Sequence, residues 1–249
     1  MEFSVFEEYF SASRVERYQV AVGNSKIKTI KLYKANLKVS QAFHPLLGVL
    51  EVIIRNRLND ILVEFFNDKD WIINQKSEFM SDPSLRFRHK RSGKIIINDF
   101  IKREVEKAET RILKTNSKIT SGKIIAEQSF GFWTDFFEVH NYKLLKGKPI
   151  QVFKNLPSGY GRKEVNDLLN NIRRFRNRIN HNEPICFNKI EIDFSNSLLV
   201  YNAIINLLNW IDPELINFTS DIDSVLSTIE KALKLKKPPE KFSEGFHFG

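Results

Sequence analysis

The stretch from residue 26 to residue 66 constrains this chain most. Leu32, Leu37, Phe43, Leu46, Leu47, Leu50, Ile53, Ile54, Leu58, Leu62 and Phe66 recur there largely at steps of three and four. That spacing stacks side chains on one face of an α-helix, and no strand has it. The chain must therefore be organised around a long helical element with an apolar stripe to bury. Pro45 interrupts the stretch, and proline is tolerated best in a helix's first turn. Two helices are expected, the second over residues 45–66, closed by Asn67-Asp68-Lys69-Asp70.

The remaining segments use the same period. Phe3, Phe6, Tyr9 and Phe10 predict a first helix, which the serines at 11 and 13 break or recap. Gly23 suits a helix end, and Asn24-Ser25 the start of the next. Further helices are expected over 95–114, from 121 into the aromatic run Phe130, Phe132, Trp133, Phe136 and Phe137, and over 162–180, 196–211 and 221–235. Gly131 inside the aromatic run points to another element packed close against the backbone. Residues 147–161, with Pro149, Pro157, Gly159 and Gly161, read as a loop. No strand pair and no long repeat is evident. Ten glycines and eight prolines against twenty-one phenylalanines disfavour a turn-rich sandwich. The expected fold is all-α, one helical domain over residues 1–237 ahead of a flexible tail over 238–249.

The formal charge of +9 and a pI near 9.5 suit a polyanionic partner, and suit an ordinary basic protein equally well. Arg86, Arg88, His89, Lys90, Arg91 and Lys94 form the densest basic run. It reads first as a solvated loop and second as an arm on an RNA backbone. Lys143, Lys146 and Lys148 are lesser candidates for the same role. A single cysteine, Cys186, excludes an intramolecular disulfide and a cysteine-rich metal site. Residues 1–10 carry three glutamates and no basic region, unlike a secretory signal. No run of uninterrupted apolar residues reaches spanning length. A soluble, cytoplasmic chain with no membrane association is expected. His44, His89, His140 and His247 lack partners at metal-ligand spacing, so neither a metal nor another cofactor is expected.

The run Arg176-Asn177-Arg178-Ile179-Asn180-His181 carries the chemistry. On the helix expected over 162–180, Leu168, Ile172, Phe175 and Ile179 share the face to be buried. Asn177 and His181, four apart, lie on the opposite face beside Arg174, with Arg173 and Asn180 flanking. Pro184 biases Glu183 away from helical conformation, so the cluster sits near a helix C-terminus, where the dipole favours cations. Histidine can move a proton near neutral pH, and arginine offers a planar, permanently charged fork for phosphate. Such a cluster suits metal-free RNA cleavage, with asparagine as an orienting group. It is also what a plain basic exposed helix looks like.

These residues resemble a known signature. Arg176 through Ile185 is similar to the motif of the Abi-like (abortive infection) proteins, a branch of the HEPN superfamily whose pattern is Arg, four to six residues, then His. Asn177 occupies the polar slot after the arginine. Tyr18, Leu32-Tyr33, Asn36, Ser40, Ala42-Phe43, Leu46-Leu47 and Glu51 through Arg55-Asn56 resemble the family's N-terminal half. Ser129-Phe130-Gly131-Phe132-Trp133 resembles its middle aromatic motif. The resemblance covers residues 11–213. Asn182 stands where many relatives have a second histidine.

The resemblance implies a HEPN-like helical bundle, here with additional N- and C-terminal helices. It implies a homodimer with a composite cleft and metal-independent RNA cleavage leaving a cyclic phosphate. A toxin or phage-defence role follows, with a small-RNA or protein antitoxin as a possible partner. Arg176 and His181 would be catalytic. Asn177, Arg173, Arg178, Glu183, Glu51, Arg55 and Asn56 would support them, and Arg174, Arg86, Arg88, Lys90 and Arg91 would bind RNA. The rival reading is a non-catalytic RNA-binding or antitoxin-regulated protein using the same basic cluster. Glu51 and Arg55, at i and i+4, are expected to pair along one helix. Arg55-Asn56-Arg57-Leu58-Asn59-Asp60 echoes the motif but ends in Asp60, which cannot act as a cationic acid.

Overall fold

A computed structural model describes residues 1–236. The tail expected over 238–249, His247 included, lies outside the described residues. Helices α1 (Phe3–Phe10), α2 (Ala12–Ala21) and α3 (Lys26–Phe66) open the chain, and a short α4 (Trp71–Asn74) follows. A hairpin of β1 (Arg86–Arg88) and β2 (Ile95–Ile97) precedes α5 (Phe100–Lys114), α6 (Ser121–Glu127), α7 (Phe130–Asp135) and α8 (Val139–Leu144). Then come α9 (Arg162–Asn180), a second hairpin of β3 (Phe187–Asn188) and β4 (Glu191–Ile192), α10 (Ser195–Ile211), α11 (Glu214–Thr219) and α12 (Val225–Leu233). The described residues are mostly helical, as the periodicity requires.

The breaks between the first helices follow from backbone chemistry. Ser11 takes φ 62°, and Gly23 and Asn24 take φ 65° and 61°, so α1 and α2 each end in left-handed backbone. Asn67, at φ 51°, stops α3 in the same way.

Several expectations are corrected. Pro45 does not divide α3, which runs unbroken through it. Its ring lies on the exposed side, while Ala42, Phe43, Leu46 and Leu47 are buried on both sides of it. Packing of the flanking turns outweighs the lost N–H. Residues 95–97 pair with 86–88 as an antiparallel hairpin, so α5 begins only at Phe100. The second hairpin, over 187–192, was likewise not legible as a strand pair. The run from 121 to 137 divides at Gln128-Ser129, and the segment before α12 holds the extra helix α11.

The contacts divide the chain into two units. One comprises Met1–His44, Arg178–Leu199 and the described residues from Asp223 on; the other comprises Pro45–Asn177 and Val200–Ile222. Helices α3, α9 and α10 contribute residues to both.

The first unit is built on rings. Phe6 meets Tyr33 edge-on at 5.3 Å, and Tyr18 lies 5.0 Å from both Tyr33 and Phe187. Arg17 sits 4.6 Å above the Phe187 ring and donates Nε to the Lys189 carbonyl at 3.1 Å. The buried Asn36 accepts the Ile185 N–H at 2.8 Å, and Ser197 donates to the Ile185 carbonyl at 3.2 Å. These bonds satisfy backbone that would otherwise be buried unpaired.

The second unit carries a larger aromatic core. Trp71 packs against Phe66 and Phe136, and Phe136 against Phe79, Phe132 and Trp133. Trp71 donates its indole N–H to Asn59 at 3.1 Å. By length and mean hydropathy α3 could cross a bilayer. Lys38, Glu51 and Arg55 interrupt it, Leu46, Leu50, Ile54, Leu58 and Leu62 are buried within the protein, and one such helix is weak evidence of a span.

Candidate functional site

Helix α9 spans the range its period predicts and separates its faces cleanly. Val165, Leu169, Ile172, Phe175 and Ile179 are buried, with Leu169 rather than Leu168 taking the fully buried place. Asp167, Arg174 and Asn177 are exposed on the polar side. Burial of the apolar stripe against the core thus leaves that row facing outward.

Arg176 lies between the two faces, and its Nη2 reaches Glu51 Oε2 of α3 at 2.9 Å. The side chains are only 28% and 19% exposed, so the pair is partly desolvated and firmer than a surface ion pair. The expected Glu51–Arg55 pair does not form. Arg55 instead donates Nε to Asn56 at 3.2 Å, because Arg176 competes successfully for the one carboxylate. Glu51 thereby holds one guanidinium nitrogen and leaves the rest of the fork available.

Past α9 the chain turns sharply. Asn182 has φ 53°, and the N–H groups of Asn182 and Glu183 bond back to the carbonyls of Ile179 and Arg178 at 2.9 and 2.8 Å. Arg178 grips this turn, with Nε 3.3 Å from Glu183 and Nη2 on the Pro184 carbonyl. Arg14 donates to the Asn182 carbonyl at 3.3 Å. Arg178 and Glu183 are thus structural, fixing the turn that carries His181. The imidazole of His181 is exposed and takes no hydrogen bond or ion pair among the described residues. Cys186, a few residues on, is fully buried, and burial pushes its thiol up to about 12, so it is no nucleophile at neutral pH.

No family model, curated protein or solved structure matches this chain. The chemistry must be read from the residues themselves. Among the described residues no three His, Cys, Asp or Glu side chains gather as metal ligands.

Arg86, Arg88, Lys90 and Arg91 stand on the first hairpin, all exposed. The register pairs Arg86 with Ile97 and Arg88 with Ile95, so the two arginines share one face with two exposed isoleucines. Phe87 and Ile96 occupy the other face. Phe87 also lines a groove with Asn98, Val139, His140 and Lys143, the one of the three lesser lysines found beside the hairpin.

A second polar cluster was not foreseen. Glu138, Asp167, Asn170, Arg173 and Arg174 line a cavity of about 330 Å³ in the second unit. Glu138 Oε1 accepts from Asn170 at 3.0 Å and from the buried Asn166 at 3.4 Å. Glu138 and Arg173 also act on Asp135, whose carboxyl is pushed up to about 6, chiefly by burial and further by Glu138, against the opposing pull of Arg173 and of Asn141. His140, 4.0 Å from Asp135, is held neutral more readily than usual because burial disfavours its cation. A Cβ at Gly131 would meet Arg173 Cδ at 3.5 Å, an ordinary van der Waals contact, so the close approach expected there is not found. The available signal was Asn166 and Asn170 at i,i+4 on the polar face of α9, which shows nothing until Glu138 is placed beside them.

Proposed function

We propose that this chain is a HEPN-type endoribonuclease of an abortive-infection or toxin–antitoxin system, acting without a metal ion. The observation that supports it is the state of its two motif residues. Arg176 is oriented by Glu51 with most of its fork uncommitted, and His181 is exposed on a turn that Arg178 and Glu183 hold. In the reaction, the ribose 2′-oxygen attacks the adjacent phosphorus and the bond to the 5′-oxygen breaks. The products are a 2′,3′-cyclic phosphate and a 5′-hydroxyl. His181 moves the proton, off the 2′-hydroxyl or onto the leaving 5′-oxygen. Arg176 neutralises charge building on the phosphoryl oxygens, and Asn177 orients the imidazole or the arginine. The basic hairpin supplies sequence-independent grip through Arg86, Arg88, Lys90 and Arg91. A regular helix would set Arg176 and His181 about 140° apart, and His181 stands just past the end of α9; one copy of the motif then supplies half a site and a homodimer completes it. A protein or small-RNA antitoxin would act by covering the motif.

Incubation of the full chain with single-stranded RNA tests this. Cleavage products ending in cyclic phosphate are expected, insensitive to EDTA and reduced about 100-fold or more by His181→Ala, with RNA affinity retained. RNA bound with equal affinity by both proteins but cleaved by neither would overturn catalysis and leave the non-catalytic RNA-binding reading.

A further inference from the structure

The cavity on α9 lies apart from the Arg176–Glu51 pair, and its donors and acceptors are sorted in an informative way. Glu138 spends Oε1 on the amides of Asn166 and Asn170, which orient the carboxylate and leave Oε2 without a hydrogen bond among the described residues. Arg173 and Arg174 line the same cavity; Arg173 is drawn to the Asp135 carboxylate, Arg174 takes no hydrogen bond or ion pair among the described residues, and Asp167 is engaged by Lys163 at 2.9 Å. With Lys163 on Asp167 and Asp135 beside Arg173, three cations and three carboxylates balance, which argues against a bare phosphate and for a neutral, planar ligand that both accepts and donates.

A nucleobase has that chemistry, and the order of groups along its edge decides which one. Guanine presents two adjacent acceptors, N7 and O6, followed at once by N–H donors at N1 and N2. An arginine fork takes N7 and O6 as a pair, and a carboxylate takes the donors. Adenine places its amino group where the fork needs an acceptor, and the pyrimidines lack the paired acceptors. We infer that this cavity is a guanine-binding subsite, with Glu138 reading the N–H edge and Arg174 reading O6 and N7. As a subsite for the RNA of the proposed ribonuclease, the inference rests on that reading. Asn170, Arg174 and Asn177 follow one another at steps of four and three along α9. The rise from Asn170 to Asn177 is about 10 Å, one to two nucleotides of extended strand. The base held here is therefore a near neighbour of the nucleotide that meets Asn177, and it gives a cleavage preference that the motif alone cannot.

Calorimetric titration of the full chain with the 5′-monophosphates of the four ribonucleosides, and with inorganic phosphate, tests the subsite without any cleavage. GMP is expected to bind about tenfold or more tighter than AMP, CMP or UMP, and phosphate not to compete. Glu138→Gln and Arg174→Ala are each expected to weaken GMP binding at least about fivefold at unchanged circular dichroism. Should Glu138→Gln fail to fold, Arg174→Ala at its exposed position carries the test. Equal binding of all four nucleotides, no binding, or displacement of GMP by phosphate overturns the subsite. RNA cut without guanine preference near the scissile bond overturns the subsite and leaves the ribonuclease. GMP-selective binding by a chain that cuts no RNA does the reverse.

Discussion

Asp135 shows how one carboxylate can work against the fold that holds it. Its pKa rises from 3.8 to about 6 because burial costs the anion its hydration and Glu138 repels it, more than Arg173 and Asn141 restore. For an acid raised in this way, the folded state holds the proton between about pH 4 and 6 while the unfolded state has released it. Stability from this group therefore falls as pH rises through that window and stays low above it. A shift of about two units corresponds to about 1–3 kcal/mol at neutral pH. Asp135→Asn is expected to raise stability by that order at pH 7.5 and to change it little at pH 4. His140, with its lowered pKa, works in the opposite sense, losing stability as pH falls. Urea unfolding at the two pH values measures it, and a gain of equal size at both would refute the burial argument.

Among the elements, α3 departs furthest from its expected form. Its apolar period was legible, but Pro45 reads locally as a start, and only the tertiary burial of Phe43, Leu46 and Leu47 on either side shows that the helix continues. Proline inside a helix forfeits one hydrogen bond and strains the preceding turn, at about 3 kcal/mol relative to alanine. At this exposed position little packing is lost by replacing it. Pro45→Ala is therefore expected to stabilise the chain by about 1–3 kcal/mol, read as a higher urea midpoint. A lower midpoint would mean that the ring makes contacts its exposure conceals. The same contrast runs through the chain. Helix α9 has a full-length stripe, and its range follows from its sequence alone. The hairpin strands are three residues or fewer and have no period to read. Between α6 and α7 the break comes from extended backbone at Gln128 and Ser129, ψ 137° and 164°, which hydrophobic spacing does not signal.

At the scale of the whole molecule, the candidate site is legible as a list and illegible as an arrangement. The types and spacing of Arg176, Asn177 and His181 stand in the sequence. That Glu51 serves Arg176 rather than Arg55, and that Arg178 and Glu183 pair across a turn, comes only from contacts between residues far apart in the chain or beyond a helix end. The proposed dimer gives this a consequence that can be measured. If each complete site draws Arg176 from one protomer and His181 from its partner, then Arg176→Ala and His181→Ala homodimers are both inactive. A mixed dimer of the two variants contains one site in which both residues are intact and one in which neither is. Mixing the purified variants, with exchange allowed to reach equilibrium, should restore about a quarter of wild-type activity: half the dimers are mixed, and each has one working site of two. Activity that stays at the level of the separate variants, under conditions where labelled protomers are seen to exchange, would place both residues of each site in one chain.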